Sequence, residues 1–214
     1  MGFIPLIIDS AVKYAGPDGA GTSALLLPLG SRSILEHALE RAKQLEPRML
    51  VVLQAAGTEP GAPAGLDPAV PVRFVGFDQL DEIVGDADGS DYFLVLDTRS
   101  WPVMLPSAAE LHAAVSEYHG ATYAIAIGSR PERAVERIEC GADGQVRRVL
   151  RLYATANWSQ TTGHAVAYSL VPTQTLGGLR FHSLDNLRQE LAVRGVLGRD
   201  KPTSRDVLDL MRAG

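Results

Sequence analysis

Two kinds of hydrophobic pattern alternate along this chain: short runs of consecutive apolar residues, and longer stretches in which apolar residues recur every three or four positions. The first kind predicts strands at Phe3 to Ile8, Met49 to Leu53, Val72 to Val75 and Tyr92 to Leu96. The second predicts a helix over Ser33 to Leu45, where Ile34, Leu35, Ala38, Leu39, Ala42 and Leu45 share one stripe. Ser33 is placed to cap that helix, with Glu36 three residues on to complete a capping box. Ser107 and Glu110 repeat the arrangement ahead of a second helix, Ser107 to Tyr118. Strands alternating with amphipathic helices predict an α/β domain with a largely parallel sheet.

The second half reads differently. A strand at Ala121 to Ile127 is followed by Ala134 to Glu139 and Gln145 to Leu152, which flank Gly141-Ala142-Asp143-Gly144, a turn signal for an antiparallel hairpin. His164 to Val171 is a further strand, and Ser183 to Val193 a helix with Leu184, Leu187 and Leu191 on one face. Ser204 to Met211 has the pattern of a last helix, and Thr58 to Pro71, rich in Gly, Ala and Pro, that of a surface loop. These features predict one domain over residues 1–196. Residues 197–214 then form a C-terminal helix or a linker leading to another domain.

Composition removes several function classes. The chain has 214 residues, 46% hydrophobic and 21% charged, an ordinary globular balance. No apolar run approaches the roughly 18 residues that span a bilayer, and no basic flank precedes Phe3 to Ile8, so neither direct membrane insertion nor secretion is expected and the cytoplasm is the expected location. The single cysteine, Cys140, excludes an internal disulfide framework and a multi-cysteine zinc site. A net charge of −5 without a Lys/Arg run argues against nucleic acid as a partner.

The segment Leu27-Pro28-Leu29-Gly30, followed by Ser33-Ile34-Leu35-Glu36-His37-Ala38-Leu39-Glu40-Arg41, resembles the stretch LLPVGGKPLLEHVLERL that comes after the nucleotide-binding loop of sugar-1-phosphate nucleotidyltransferases. Asp91 to Asp97 resembles that family's central strand, and His119-Gly120-Ala121-Thr122 its H-x-A-T run. Asp143-Gly144-Gln145-Val146 resembles its D-x-D-G-R-V hairpin, and Thr162 to Leu170 stands where the N-A-G-I-Y-V-F strand would be. The likeness covers about residues 3 to 195, and the order of the matches is stronger than any one of them. It implies a Rossmann-like, GT-A-type nucleotidyltransferase fold, with a mostly parallel central sheet and an antiparallel hairpin in the second half.

The resemblance also locates a site. It implies that nucleotide is held by the segment after the first strand, Asp9, Ser10, Ala11, Val12, Lys13 and Tyr14. There the family's G-x-G-T-R lets backbone N–H groups and an arginine meet a triphosphate. Counting back from Pro28, the two glycines fall at Ser10 and Val12, the arginine at Tyr14, and the lysine of the later P-K pair at Ala24. Lys13 is the one nearby cation, either a partial substitute or an exposed loop lysine. Ungapped, Arg99 takes the place of the metal-binding aspartate, while Asp97 reaches the metal if the strand ends two residues early; an Asp-Arg turn pair is the plain alternative. The resemblance implies that the family's later E-K-P sugar-contact run falls near Arg151-Leu152-Tyr153, and the asparagine of its N-A-G strand near Gly163.

The resemblance therefore implies a degenerate member of the family, a regulatory or interaction module in sugar-polymer biosynthesis. Its expected partners are a nucleotide or sugar nucleotide, a fused or associated sugar-phosphate transferase, and a second copy of the chain. The alternatives are an active sugar-1-phosphate nucleotidyltransferase using Lys13, Asp97 and Arg99 with Mg²⁺ bound at Asp97, and a purely structural dimerisation domain; Mg²⁺ is expected only for the active form.

Other motifs lack their context. Gly16 to Ser23 nearly spells a P-loop, but Thr22 replaces the lysine, and Pro28 interrupts the stretch where a P-loop would run into its helix. Asp86-Ala87-Asp88-Gly89-Ser90-Asp91 reads as a solvated acidic turn rather than a calcium loop. His112 and His119 have no carboxylate at ligand spacing, and no serine sits in a nucleophile elbow.

Overall fold

The computed structural model describes residues 1–9, 12–14, 21–26, 28–54, 70–97, 101–102, 104–117, 124–129, 136–140, 146–151, 164–177, 187 and 202–208. Strand β1 (Phe3–Asp9) leads to a small antiparallel pair, β2 (Val12–Tyr14) with β3 (Gly21–Ser23). A 3₁₀ turn at Ala24–Leu26 and a second short pair, β4 (Pro28–Leu29) with β5 (Arg32–Ser33), precede α1 (Ile34–Lys43). Gly30, at φ +68°, makes the turn between β4 and β5, a backbone region that glycine enters without Cβ penalty. Next come β6 (Leu50–Gln54), β7 (Val72–Gly76), α2 (Leu80–Asp86), β8 (Tyr92–Asp97), β9 (Trp101–Pro102) and α3 (Ala108–Glu117). The second half holds β10 (Ala124–Ser129), β11 (Glu136–Cys140), β12 (Val146–Arg151), β13 (His164–Pro172), α4 (Thr173–Leu176) and β14 (Pro202–Leu208).

Eight strands form one sheet in the order β7-β6-β1-β8-β13-β10-β14-β9. The β7-β6-β1-β8 half is parallel throughout, and β13 runs antiparallel to both its neighbours. β11 and β12 make the separate antiparallel hairpin expected around residues 141–144. The fold is α/β and Rossmann-like, with a mixed, mostly parallel sheet. Among the described residues no helix is long and apolar enough to cross a membrane.

Strand alternation divides the core into two layers. Ile4, Leu6, Ile8, Val51, Leu53, Phe93 and Val95 face α2 and α4, packing with Leu80, Ile83 and Leu176. Phe3, Ile7, Leu50, Val52, Leu94 and Leu96 face the other way, against Ile34, Leu35, Ala38, Leu39 and Ala42 of α1 and Leu111 of α3. Being buried on both faces is why these strands read as continuous apolar runs rather than alternating ones. Pro5 is tolerated because β6 joins β1 only from Leu6 onward.

The α1 capping box is formed. The Ser33 N–H donates to Glu36 Oε2 at 2.6 Å, the Ser33 hydroxyl donates to the same oxygen at 2.8 Å, and Ser33 Oγ accepts the Glu36 N–H at 3.2 Å. The same three bonds join Ser107 and Glu110 ahead of α3. The backbone N–H of Ser33, then its hydroxyl, then the nearby Arg32 and His37 charges hold the Glu36 carboxyl below its usual range, outweighing a small opposing effect of burial. A lowered folded-state pKa contributes stability above the unfolded value that is lost as pH falls through the folded one. Ser33→Ala should cost about 1 kcal/mol at neutral pH by urea melts. Glu36→Gln should flatten the acid limb of the stability profile that the native chain shows.

Two expectations need correction. Residues expected as a helix from Ser204 to Met211 instead include β14, which pairs parallel with β10 and antiparallel with β9. Val207 and Leu208 sit opposite Pro102 and Trp101 there, and a neighbouring strand with unpaired backbone groups outcompetes a local helical pattern. The acidic turn is only partly solvated: Asp88 accepts the Ser90 N–H at 2.9 Å in the open, but Asp91 is 5% exposed. α2 was not anticipated at all. Of the helix expected at 183–193 only Leu187 is described, helical and fully buried; Cys140's side chain, His119 and the loop 58–69 lie outside the described residues or side chains.

Candidate functional site

β1, β6 and β7 succeed one another outward from β1, and the chain then crosses to β8 on the opposite side of β1. The order reverses there, so connections leave β1 and β8 in opposite directions and their adjacent carboxyl ends form a topological switch point. Such switch points are where open α/β sheets bind ligands.

Three of the four parallel strands, β1, β6 and β8, end on a polar residue after an apolar run. β1 ends on Asp9, β6 on Gln54 and β8 on Asp97, which are 1%, 7% and 3% exposed. The register aligns Asp9 with Gln54 and Ile8 with Asp97. Alternation puts Asp9 and Gln54 on the α1 side of the sheet, beyond Ile7 and Val52, and Asp97 on the α2 side, beyond Val95. The two carboxylates thus frame the switch point from opposite faces instead of converging on one point.

The segment after β1 is extended. Val12, Lys13 and Tyr14 pair with Ser23, Thr22 and Gly21, which commits backbone N–H groups of this segment to a ladder. Ser23, buried at 3%, accepts the Leu25 N–H at 3.1 Å, and Leu25 packs into the α1-side core. That anchors the hairpin above the Asp9 end of the sheet.

The structure therefore brings Asp9 and Asp97 to the ends of neighbouring strands, and the backbone of Val12, Lys13 and Tyr14 to a hairpin that follows β1. Ser10, Ala11 and Arg99 lie outside the described residues, as do the side chains of Val12, Lys13 and Tyr14. Among the described residues no three His, Cys, Asp or Glu side chains gather as a metal site. A metal held by Asp97 would draw its remaining ligands from bound phosphate and water, as Mg²⁺ commonly does. Gln54 escaped the sequence reading, which ended that strand at Leu53; its signal is a polar residue closing an apolar strand in line with Asp9. His112 is exposed and meets the ring of Phe3 edge-on, centroids 4.9 Å apart, away from the switch point at the opposite strand ends.

No protein-family model matches the chain, and no curated protein matches it in sequence. Solved structures match in fold. HddC from Yersinia pseudotuberculosis, in complex with GMP-PN, superposes with a TM-score of 0.67 at 9% identity, covering 98% of this chain and 94% of that one. HddC without that ligand gives 0.66 at 8%, over 96% and 92%. A structure described as a glucose-1-phosphate thymidylyltransferase from Bacillus anthracis, in complex with a sucrose, gives 0.63 at 12%, over 95% and 88%. At these identities the likeness is one of fold.

Proposed function

We propose that this chain is a catalytically silent, nucleotidyltransferase-like module. It binds a nucleotide or sugar nucleotide at the switch point between the ends of β1 and β8 and acts as a regulatory or interaction domain in sugar-polymer biosynthesis. The observation that carries this reading is the placement of Asp9 and Asp97 at the switch point of a fold shared along nearly its whole length with HddC and the Bacillus protein. One of those structures holds GMP-PN, which supports a mononucleotide as ligand class. Associated sugar-phosphate transferase and self-association are the partners proposed for it.

Silence follows from charge. Phosphoryl transfer relies on cations and N–H donors placed where negative charge develops. Tyr14 and Ala24 stand where the resembling family has its arginine and lysine, and the Val12–Tyr14 ladder leaves less backbone free to wrap a phosphate. Each lost electrostatic contact removes about 3 kcal/mol of transition-state stabilisation, roughly 10²-fold in rate, so two reduce turnover about 10⁴-fold. Only in the alternative reading, an active enzyme, would Mg²⁺ be bound, with Asp97 as the residue to hold it and neutralisation of phosphate oxygens as what it supplies.

The test pairs calorimetric nucleotide titration with a pyrophosphate-release assay using NTPs, sugar 1-phosphates and Mg²⁺. Binding without turnover is the expected result. Turnover that disappears in Asp97→Asn, with the circular dichroism spectrum kept, would make the chain an active enzyme instead. No heat with any nucleotide would remove the binding reading altogether.

A further inference from the structure

The central sheet ends on β7 at one side and on the short β9 at the other, so β7 is its longer open edge among the described residues. Register decides which backbone groups that edge presents. In a parallel ladder the bonds slant, and each residue of β6 bonds to the two residues that flank its partner in β7. Leu50 lies opposite Val72 and donates its N–H to the Pro71 carbonyl at 2.9 Å; Val52 lies opposite Phe74, and Gln54 opposite Gly76. Pro71, Arg73 and Val75 therefore bond inward, while the N–H and C=O groups of Val72, Phe74 and Gly76 point away from the sheet. The Gly76 N–H agrees with that direction by donating to Gln79 Oε1 at 3.0 Å. No strand of the described residues takes up the groups of Val72 and Phe74, the condition that makes an edge a template for another strand.

The edge fits a copy of itself. Val72 and Phe74 lie half-buried on the α1 side and Val75 on the α2 side. Arg73 shares the α2 side, its Nη1 2.6 Å from Asp86 Oδ2. A two-fold axis through Phe74, perpendicular to the sheet, lays a second β7 antiparallel to the first. Phe74 then exchanges two hydrogen bonds with its counterpart, and each Val72 N–H meets the Gly76 carbonyl of the other copy. The ladder stops there, because Gln79 already holds the Gly76 N–H. On the α1 side the two Phe74 rings form an aromatic cross-strand pair, and on the α2 side Arg73 faces Val75 rather than a like charge. An axis through Arg73 would set two arginines directly opposite each other, which is unfavourable.

We infer that β7 is the self-association surface of this chain, pairing with β7 of a second copy about Phe74 to make one continuous sheet. The inference rests on the self-association in the reading above and not on its nucleotide site. A second copy is the occupant because one axis satisfies the outward hydrogen bonds, the aromatic pair and the charge placement together. A two-fold contact of this kind closes at the dimer. A five-residue ladder between chains of net charge −5 is a small interface between mutually repelling partners, which sets the affinity in the micromolar range.

Sedimentation equilibrium of the full chain, from low to high micromolar concentration, should show monomer and dimer in reversible exchange. Val72→Pro removes an outward N–H from each copy and no bond to β6. It should weaken the dimer about thirtyfold, the scale of two hydrogen bonds, with the circular dichroism spectrum kept. With the single cysteine removed by Cys140→Ser, Phe74→Cys should give a disulfide-linked dimer on oxidation and Arg73→Cys should not, since only position 74 meets its own counterpart. A monomer at every concentration would leave the edge to a strand of another protein and overturns the assignment. A dimer untouched by Val72→Pro, or linkage through position 73 in place of 74, overturns it as well. A monomer that binds nucleotide sinks this inference alone, whereas a dimer that binds none sinks the nucleotide reading and leaves this surface standing.

Discussion

Phe93→Ala should unfold this protein at far lower urea than the native chain, with a loss of about 3–5 kcal/mol, the scale of a large-to-small change at a site that cannot collapse. Phe93 is fully buried in β8, on the layer it shares with Ile4, Leu6, Val95 and Val171. Its backbone is held on both sides, by β1 through Ile4 and by β13 through Val171, so neighbouring strands cannot close on the vacated volume. Total stability of a typical domain is about 5–15 kcal/mol, so the variant should retain a folded state only marginally. Phe93→Leu, which restores most of the volume, should recover more than half the loss. A Phe93→Ala chain with an unshifted urea midpoint would mean that β8 is not central to the core.

Asp91→Ala is the second large effect, expected at about 2 kcal/mol. Asp91 lies at the amino ends of the strands, opposite the candidate site. Its Oδ1 accepts the Gly2 N–H at 2.7 Å, its Oδ2 meets Arg48 Nη2 at 2.7 Å, and its carbonyl accepts both the Thr173 N–H and the Thr173 hydroxyl. One buried residue thereby ties the start of β1, the entry to β6 and the β13–α4 junction. Removing the carboxylate strands the Gly2 donor, and that lost acceptor weighs more than the ion pair, because the Arg48 side chain is 44% exposed and regains water. Asp91→Asn keeps an acceptor for Gly2 and should therefore lose less than half as much. If Asp91→Asn proves as damaging as Asp91→Ala in urea melts, the charge rather than the acceptor dominates the clasp. Gly2→Ala provides an independent check, since its Cβ would stand 3.2 Å from Asp91 Oδ1 and must push the clasp apart slightly.

The two capping boxes were legible because each needs only a hydroxyl and a carboxylate three residues apart ahead of a helix. The central strands were legible because a strand buried on both faces must be apolar throughout. α2 was not: its exposed Asp81, Glu82 and Asp86 surround only two buried side chains, Leu80 and Ile83, too few to set a helical period against the acidic background. β14 carries a helix-compatible pattern, and only the vacant edges of β10 and β9 decide that it extends. At the site, the resemblance directed attention to residues 9–14 and 97–99. The alignment of Asp9 with Gln54 arises from two strands whose pairing is a matter of register, which no local spacing encodes.

The order of residues by itself determined the α/β class, the parallel strands, the caps on α1 and α3, and the hairpin of the second half, because all of these depend on short-range periodicity and local hydrogen bonding. Tertiary structure alone decided which strand lies beside which, hence where the sheet reverses direction, which faces Asp9, Gln54 and Asp97 take, and that Asp91 is clasped rather than solvated. Those outcomes rest on pairings between residues as far apart as Gly2 and Asp91, whose free energy exists only once the chain has closed on itself.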